Sequence, residues 1–242
     1  MQLKFILVEP LDPRNVGSAA RALKTMGHQN LVLVNPCDHL CGKAKALAHG
    51  SFDILEAAEV YSNFSEVTQS VDFLIGTTAR HRKSKIRYCD SREIPSIIEE
   101  KSRLVQTIGI VFGAETSGLK NEVIHQCDLV TSIATASPHP SLNLAQSVMI
   151  FSYLASQLNK TTTQDWRIDA NTAQKSEYRS MRDGVFELMD QIKMPHNNSV
   201  KRYVRGAIAR LGYDDLYLLH AIRRQVAYTI NKLQNISDKE VE

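Results

Sequence analysis

The 242 residues fit one large domain, or a medium domain with a small appendage. At 43% hydrophobic and 23% charged, the chain has an ordinary soluble globular composition and can bury a core without staples, which excludes a collagenous or low-complexity protein. The formal net charge of +3 permits a nucleic-acid partner without requiring one. The excess is local: 14 Lys/Arg stand against 11 Asp/Glu from residue 160 onward, and 15 against 15 before it. Cys37, Cys41, Cys89 and Cys127 include one CxxxC pair but no second pair at zinc-ligand spacing, so free thiols are expected and no metal. MQLKFILVEP has no signal-peptide layout, and its apolar run is too short to cross a bilayer. A cytoplasmic protein without a membrane partner is the expectation.

In chain order, Leu3–Val8 is a continuous apolar run of the kind found in central parallel strands. Residues 15–27 predict a helix with Asn15 at its cap and Gly27 closing it. Leu31–Val34 reads as a strand, 42–49 and 65–70 as helices, Val71–Gly76 as a strand and Ile94–Lys101 as a helix. Ile108–Phe112 and Leu129–Ile133 are further strands, with a helix at Asn121–His125 between them and a long amphipathic helix at Leu142–Leu158. Strands alternating with helices predict an α/β fold with a mostly parallel sheet. Ligands bind such sheets at the loops beyond the strands' carboxyl ends, here 9–18, 76–92, 113–120 and 134–143. After 158 the character changes: 159–173 is polar and threonine-rich, a linker, and 174–242 carries three helical patterns and no strand. A small all-helical C-terminal domain appended to an α/β domain of residues 1–158 is predicted.

The glycine-rich loops test first for nucleotide fingerprints. NVGSAAR after the first strand holds one glycine where G-x-G-x-x-G needs three, and no P-loop is present, so nicotinamide and ATP binding through those motifs are excluded. Ser18 and Arg21 share a helix face; they form either a solvated surface or, with Asn15, the frame of an anion site. RHRKSKIRYCDSR at 80–92 is a run of cations following a strand, either a solvated loop or a contact for a phosphodiester backbone. VFGAETSGL at 111–119 empties a strand into small residues around the single carboxylate of Glu115, and PSLNLAQSV at 140–148 places Ser141 and Asn143 just before a helix.

Taken together, NVGSAARALKTMG, VFGAETSGL and PSLNLAQSV resemble the three motifs of the SpoU/TrmH branch of the SPOUT superfamily, RNA 2′-O-ribose methyltransferases that use S-adenosylmethionine. GTTARHR at 76–82 is similar to the TrmJ-like subgroup, which acts on transfer RNA. The resemblance covers residues 1–158; the helical C-terminal region resembles the TrmJ-like extension only loosely.

The resemblance implies a fold with a deep C-terminal trefoil knot, which no composition or periodicity reveals. It implies a cofactor cradle of Gly76, Thr77, Thr78, Gly113, Gly118, Ile133, Ser141, Leu142 and Asn143, in which small residues let backbone approach the cofactor closely. It implies a reaction centre of Asn15, Arg21, Glu115, Ser141 and Asn143, with Glu115 pairing with Asn15 or holding a loop and Arg21 activating the ribose 2′-hydroxyl; because an arginine stays protonated, holding a phosphate and stabilising the developing alkoxide is the expected role of Arg21. RNA contacts are expected from Arg14, Ser18, Arg80, Arg82, Lys83, Lys85 and Arg87. Lys201, Arg202, Arg205, Arg210, Arg223 and Arg224 near Tyr203 are expected to be an RNA-docking surface or two solvated helix faces. No metal is needed. A homodimer is implied, with the apolar face of the 142–158 helix forming either core or interface. Ala114 departs from the subgroup, where arginine is common, which bears on the choice of target nucleotide. The implied activity is 2′-O-methylation of tRNA at cytidine or uridine of the anticodon loop; alternatives are ribosomal RNA as substrate or a non-catalytic RNA-binding homologue.

Overall fold

Along the first strand, Phe5 and Leu7 enter one apolar cluster and Ile6 and Val8 another. This period of two, with both faces buried, is the signature of a sheet covered on both sides by helices. The computed structural model describes residues 1–79, 88–136, 141–158, 177–194 and 198–239. Seven strands, β1 (Gln2–Val8), β2 (Leu31–Val34), β3 (Glu59–Tyr61), β4 (Phe73–Thr77), β5 (Tyr88–Asp90), β6 (Thr107–Phe112) and β7 (Leu129–Ser132), form one sheet in the order β3-β2-β1-β6-β4-β7-β5. Every neighbouring pair is parallel.

One face carries α1 (Pro13–Thr25), α2 (Gly42–Ala48), α3 (Phe52–Glu56), α5 (Ile94–Lys101) and α7 (Leu144–Ser156). The other carries α4 (Phe64–Ser70) and α6 (Asn121–Gln126). Three short elements escape the sequence reading. β3 is a three-residue edge strand with little burial, α3 has five residues and β5 three, so none offers a period to read. β3 is held from a distance: the buried ammonium of Lys4 on β1 donates to both oxygens of Glu59, at 2.6 and 2.9 Å. The fourth strand starts at Phe73, not Val71, because Asp72 accepts the N–H groups of Gln106 and Thr107, at 3.0 Å each, and holds the chain in a loop.

Among the described residues three helices follow, α8 (Glu177–Gln191), α9 (Asn198–Ile208) and α10 (Tyr213–Lys239). They pack on the amino ends of β4, β6 and β7. Tyr178, Met181, Ile208, Ala209 and Leu216 belong to the same apolar cluster as Phe5 and Phe73, so the core is continuous through these helices. Tyr178 meets Phe73 edge-on at 5.7 Å between ring centroids. Lys101, 2% exposed, donates to the carbonyl of Leu211 at 2.9 Å and to Glu100.

The charged centre of this contact is Asp128, whose side chain is fully buried. Its Oδ2 accepts the N–H of Leu74 at 2.9 Å. Its Oδ1 lies 3.4 Å from the Tyr178 hydroxyl, 3.5 Å from Arg205 and 3.6 Å from Arg182. Burial pushes the Tyr178 hydroxyl far up, so it remains a neutral donor. Removing one side of a buried ionic contact leaves the other uncompensated. Asp128→Ala should therefore lower the unfolding free energy by about 3–5 kcal/mol in urea titrations, and Asp128→Asn, which keeps an acceptor for Leu74, should cost less.

Candidate active site

The helix that opens this site begins earlier than its sequence suggests. Asp12 is the N-cap of α1, not Asn15: its carboxylate accepts the N–H of Arg14 at 2.9 Å, and Pro13 fits the first helical position because its ring pre-sets φ and it has no N–H to leave unpaired. Asn15 therefore sits inside the first turn, where its side chain is free to reach sideways. Before it, Glu9 takes φ +51° ahead of Pro10, a conformation a pre-proline residue normally avoids. Lys120 holds its carboxylate at 2.8 Å.

Glu115 gathers the surrounding loops. Its two oxygens accept the N–H of Leu11 at 2.9 Å, the N–H of Asp12 at 3.1 Å and the Asn15 amide at 2.9 Å. The Asn15 carbonyl in turn accepts from the Asn143 amide at 2.8 Å. Asn143 caps α7, accepting from Ala145 at 2.8 Å, while its own N–H donates to Gln146. The chain is directional: it runs from a carboxylate that can only accept to helix N–H groups that can only donate, and this fixes each amide's orientation. Burial works against the charge on Glu115, but the Asn15 amide and the backbone donors outweigh it and hold the carboxyl below its usual range. Burial and the Glu115 charge push the nearby Cys37 thiol up to about 11, so it stays protonated.

Beyond the carboxyl ends of β4, β6 and β7 lies a cavity of about 310 Å³. Its floor is apolar, with Phe112, Leu119, Leu144 and Phe151; its walls carry the hydroxyl residues Thr77, Thr78, Thr116, Ser117, Ser141 and Ser147. Glu115 is the one charged residue among its described lining. Of the residues the resemblance implied for the cofactor cradle, Thr77, Thr78, Gly113, Gly118, Ile133, Ser141 and Leu142 line this cavity, and Gly76 and Asn143 do not. Asn143 is connected to the lining through Asn15, which in turn donates to Glu115. Gly76 is packed on Cys127, whose Sγ would stand 3.0 Å from a Cβ there.

The glycines of the 113–118 turn also shape the chain itself. A Cβ on Gly113 would fall 2.1 Å from backbone atoms of Gly118 and Leu119, so on that side the space beside it is filled by the chain's own backbone. Gly118 is needed for its φ of +67°. Together they close a turn in which Gly118 donates to Ala114 at 2.8 Å.

Arg21 is not brought to this cavity. It lies with Arg14 and Ser18 on one stripe of α1, about 9 Å along the axis from Asn15 at 1.5 Å per residue, exposed and with no hydrogen bond from its guanidinium among the described residues. Arg14 is paired with Asp12 at 2.7 Å. Arg80, Arg82, Lys83, Lys85 and Arg87 lie outside the described residues, as does the 159–173 linker. Three of the six C-terminal cations are used internally: Arg205 faces Asp128, Arg202 meets His125 at 2.9 Å, and Arg223 packs over Gly184. Ser147 and Phe151 were missed, although helical spacing from Asn143 and Leu144 places them on the same side of α7. Among the described residues no group of His, Cys, Asp or Glu could hold a metal, and no helix is long and apolar enough to cross a membrane.

The SpoU methyltransferase AviRb from Streptomyces viridochromogenes, in complex with the cofactor AdoMet, shares this fold with a TM-score of 0.55 and 24% identity, covering 66% of this chain and 61% of that one. The chain belongs to the SpoU rRNA Methylase family, whose sequence model matches residues 2–153. The uncharacterized tRNA/rRNA methyltransferase LasT of Escherichia coli (strain K12) is 33% identical over 96% of this chain and its own full length. The tRNA (cytidine/uridine/adenosine-2′-O-)-methyltransferase TrmJ of Pseudomonas aeruginosa (strain UCBPP-PA14) is 36% identical over 63% of this chain and 59% of its own.

Glu115→Gln sets an amide N–H against one of its backbone donors and should cost about 1–3 kcal/mol at pH 7. A carboxyl held below its unfolded value, about 4.3, stabilises the fold above that pH and loses this contribution as pH falls through the folded value. Thermal melts of the two proteins should therefore draw together as pH is lowered from neutrality through the folded value of Glu115.

Proposed function

We propose that this protein transfers a methyl group from S-adenosylmethionine to a ribose 2′-hydroxyl of RNA, with tRNA as substrate and cytidine or uridine of the anticodon loop as target. The observation that carries the reading is the cavity itself. It has an apolar floor for a planar ring, hydroxyls for a polar tail, one carboxylate and no cation among its described lining, which suits a positively charged cofactor. When bound, that cofactor supplies an electrophilic methyl carbon on its sulfonium. Membership of the SpoU family, and the names of the relatives TrmJ and LasT, support RNA as acceptor. LasT leaves ribosomal RNA as the second reading.

The chain's own residues contribute position more than acid–base chemistry. Thr77, Thr78, Ile133, Ser141 and Leu142 wall the cofactor, and the Glu115–Asn15–Asn143 chain holds the motif loops and the start of α7 in register. Such alignment of a hydroxyl with a methyl carbon is worth several orders of magnitude in rate. Arg21 supplies hydrogen-bond donors and a fixed charge, not a base. Because it stands outside its own cavity, the reading places it at the site of a second copy in a homodimer, with exposed Leu11 and Tyr153 at the contact. The reading includes the trefoil knot implied by the SPOUT resemblance and a cytoplasmic location.

On α10, Tyr217, Arg224 and Tyr228 fall on one face, and all three are exposed. Ring faces beside a cation suit unpaired bases and the phosphates that link them, so RNA docking rests on this face in place of the internally paired arginines.

Incubation with labelled S-adenosylmethionine and unmodified tRNA, read by nucleoside mass spectrometry, should give a 2′-O-methylated nucleoside. Arg21→Ala should reduce the yield rate about 10²-fold or more. A methylated base in place of a methylated ribose would sink the reading. Tyr217→Ala with Tyr228→Ala should weaken RNA binding about tenfold or more in filter assays, in keeping with stacking energies, with cofactor affinity unchanged.

A further inference from the structure

We propose that Thr116 and Ser117 are specificity-determining residues that contact the target nucleotide through hydroxyls free to donate or accept; this rests on the methyl-transfer reading above. The cavity lining divides by depth. Phe112, Leu119, Thr131 and Leu144 are buried, whereas Ala79, Thr116, Ser117, Gly118 and Ser141 are exposed and form its rim. A cofactor that fills the depth leaves the rim to meet the second reactant. That rim carries three hydroxyls and, among the described residues, no charge.

Two of those hydroxyls sit on a turn tied to its surroundings at several points. Thr116 and Ser117 form the tip of the turn whose ends are joined by the Ala114–Gly118 bridge. Gly113 is wedged against the backbone of Gly118 and Leu119 at the base, and Glu115, between base and tip, is held by three donors from the loop and helix opposite. The tip itself is unused. The Thr116 hydroxyl makes no hydrogen bond among the described residues, and that of Ser117 reaches only its neighbour's carbonyl, at 3.3 Å. Groups held in place by their surroundings but left unpaired are preorganised for a partner.

The chemistry of a hydroxyl defines that partner. It offers one donor and two acceptor lone pairs and rotates to suit. It can accept from the exocyclic amine of a cytosine or donate to the corresponding carbonyl of a uracil. Such a pair recognises the polar edge of an unstacked nucleotide without demanding one sense of hydrogen bond, as fits a base presented in an RNA loop. Tolerance of more than one base then follows from the residue type at 116 and 117.

The test uses the full chain with Thr116→Val, Ser117→Ala and the double substitution, and two tRNA transcripts differing only by C or U at the target. Cofactor Kd, RNA KM, kcat and the preference between transcripts are measured. The inference expects a rise in RNA KM of about three- to tenfold, the loss of one neutral hydrogen bond, a changed preference between C and U, and a cofactor Kd within about twofold of the parent. Thr116→Ser, which restores the hydroxyl, should return both KM and preference. A rise in cofactor Kd with unchanged RNA KM would assign these hydroxyls to the cofactor and overturn the inference; so would variants indistinguishable from the parent. A parent chain that methylates no RNA would overturn the methyl-transfer reading itself, whereas an active parent with unaffected variants removes this inference alone.

Discussion

One carboxylate holds the functional end of this molecule together. Glu115 sits on a loop after β6, yet its partners come from the loop after β1 and from α1, and through Asn15 the connection reaches the cap of α7. These segments are about 100 residues or more apart in the chain. A group that can only accept is matched to three donors, so no other side chain of similar size satisfies the same set. Its charge is kept because those donors outweigh the cost of burial. The strained Glu9 and its clasp to Lys120 belong to the same arrangement: they aim two successive backbone N–H groups at one target.

At the opposite edge of the sheet a second carboxylate, this one fully buried, does comparable work for the C-terminal helices. Asp128 faces two arginines and a tyrosine at 3.4–3.6 Å, looser than the 2.9–3.1 Å contacts of Glu115. The firmer hold there is apolar, from Tyr178 on Phe73 and from Ile208 and Leu216 in the common core. A sheet of parallel strands thus has a polar latch at each end, one serving the cavity and one serving attachment.

Much of this could be read from the sequence, for identifiable reasons. Five of the seven strands announce themselves as apolar runs, and α5 falls on its predicted residues, because burial on both faces leaves little freedom in residue choice. The short edge elements do not, since three residues carry no period. The motif loops pointed to the cavity and to the pairing of Glu115 with Asn15, but not to what the glycines do: sequence shows that Gly113 is small and cannot show that backbone fills the space beside it. Nor could charge counting separate cations for a partner from cations spent inside. Arg205 and Arg224 look alike in sequence; one faces a buried carboxylate and the other faces water.

The continuous core has a consequence for how this family can vary. A chain ending after α7 would open Phe73, the near-fully buried Lys101 and the fully buried Asp128 to solvent, a socket shaped for helices that are no longer there. The extension therefore cannot be exchanged as a detachable module. A relative carrying a different extension, or none, must also have rewritten residues at the foot of β4, β6 and β7. Drift in the tail and drift in the sheet's amino edge are thus bound to move together, even though the chemistry lies at the other end.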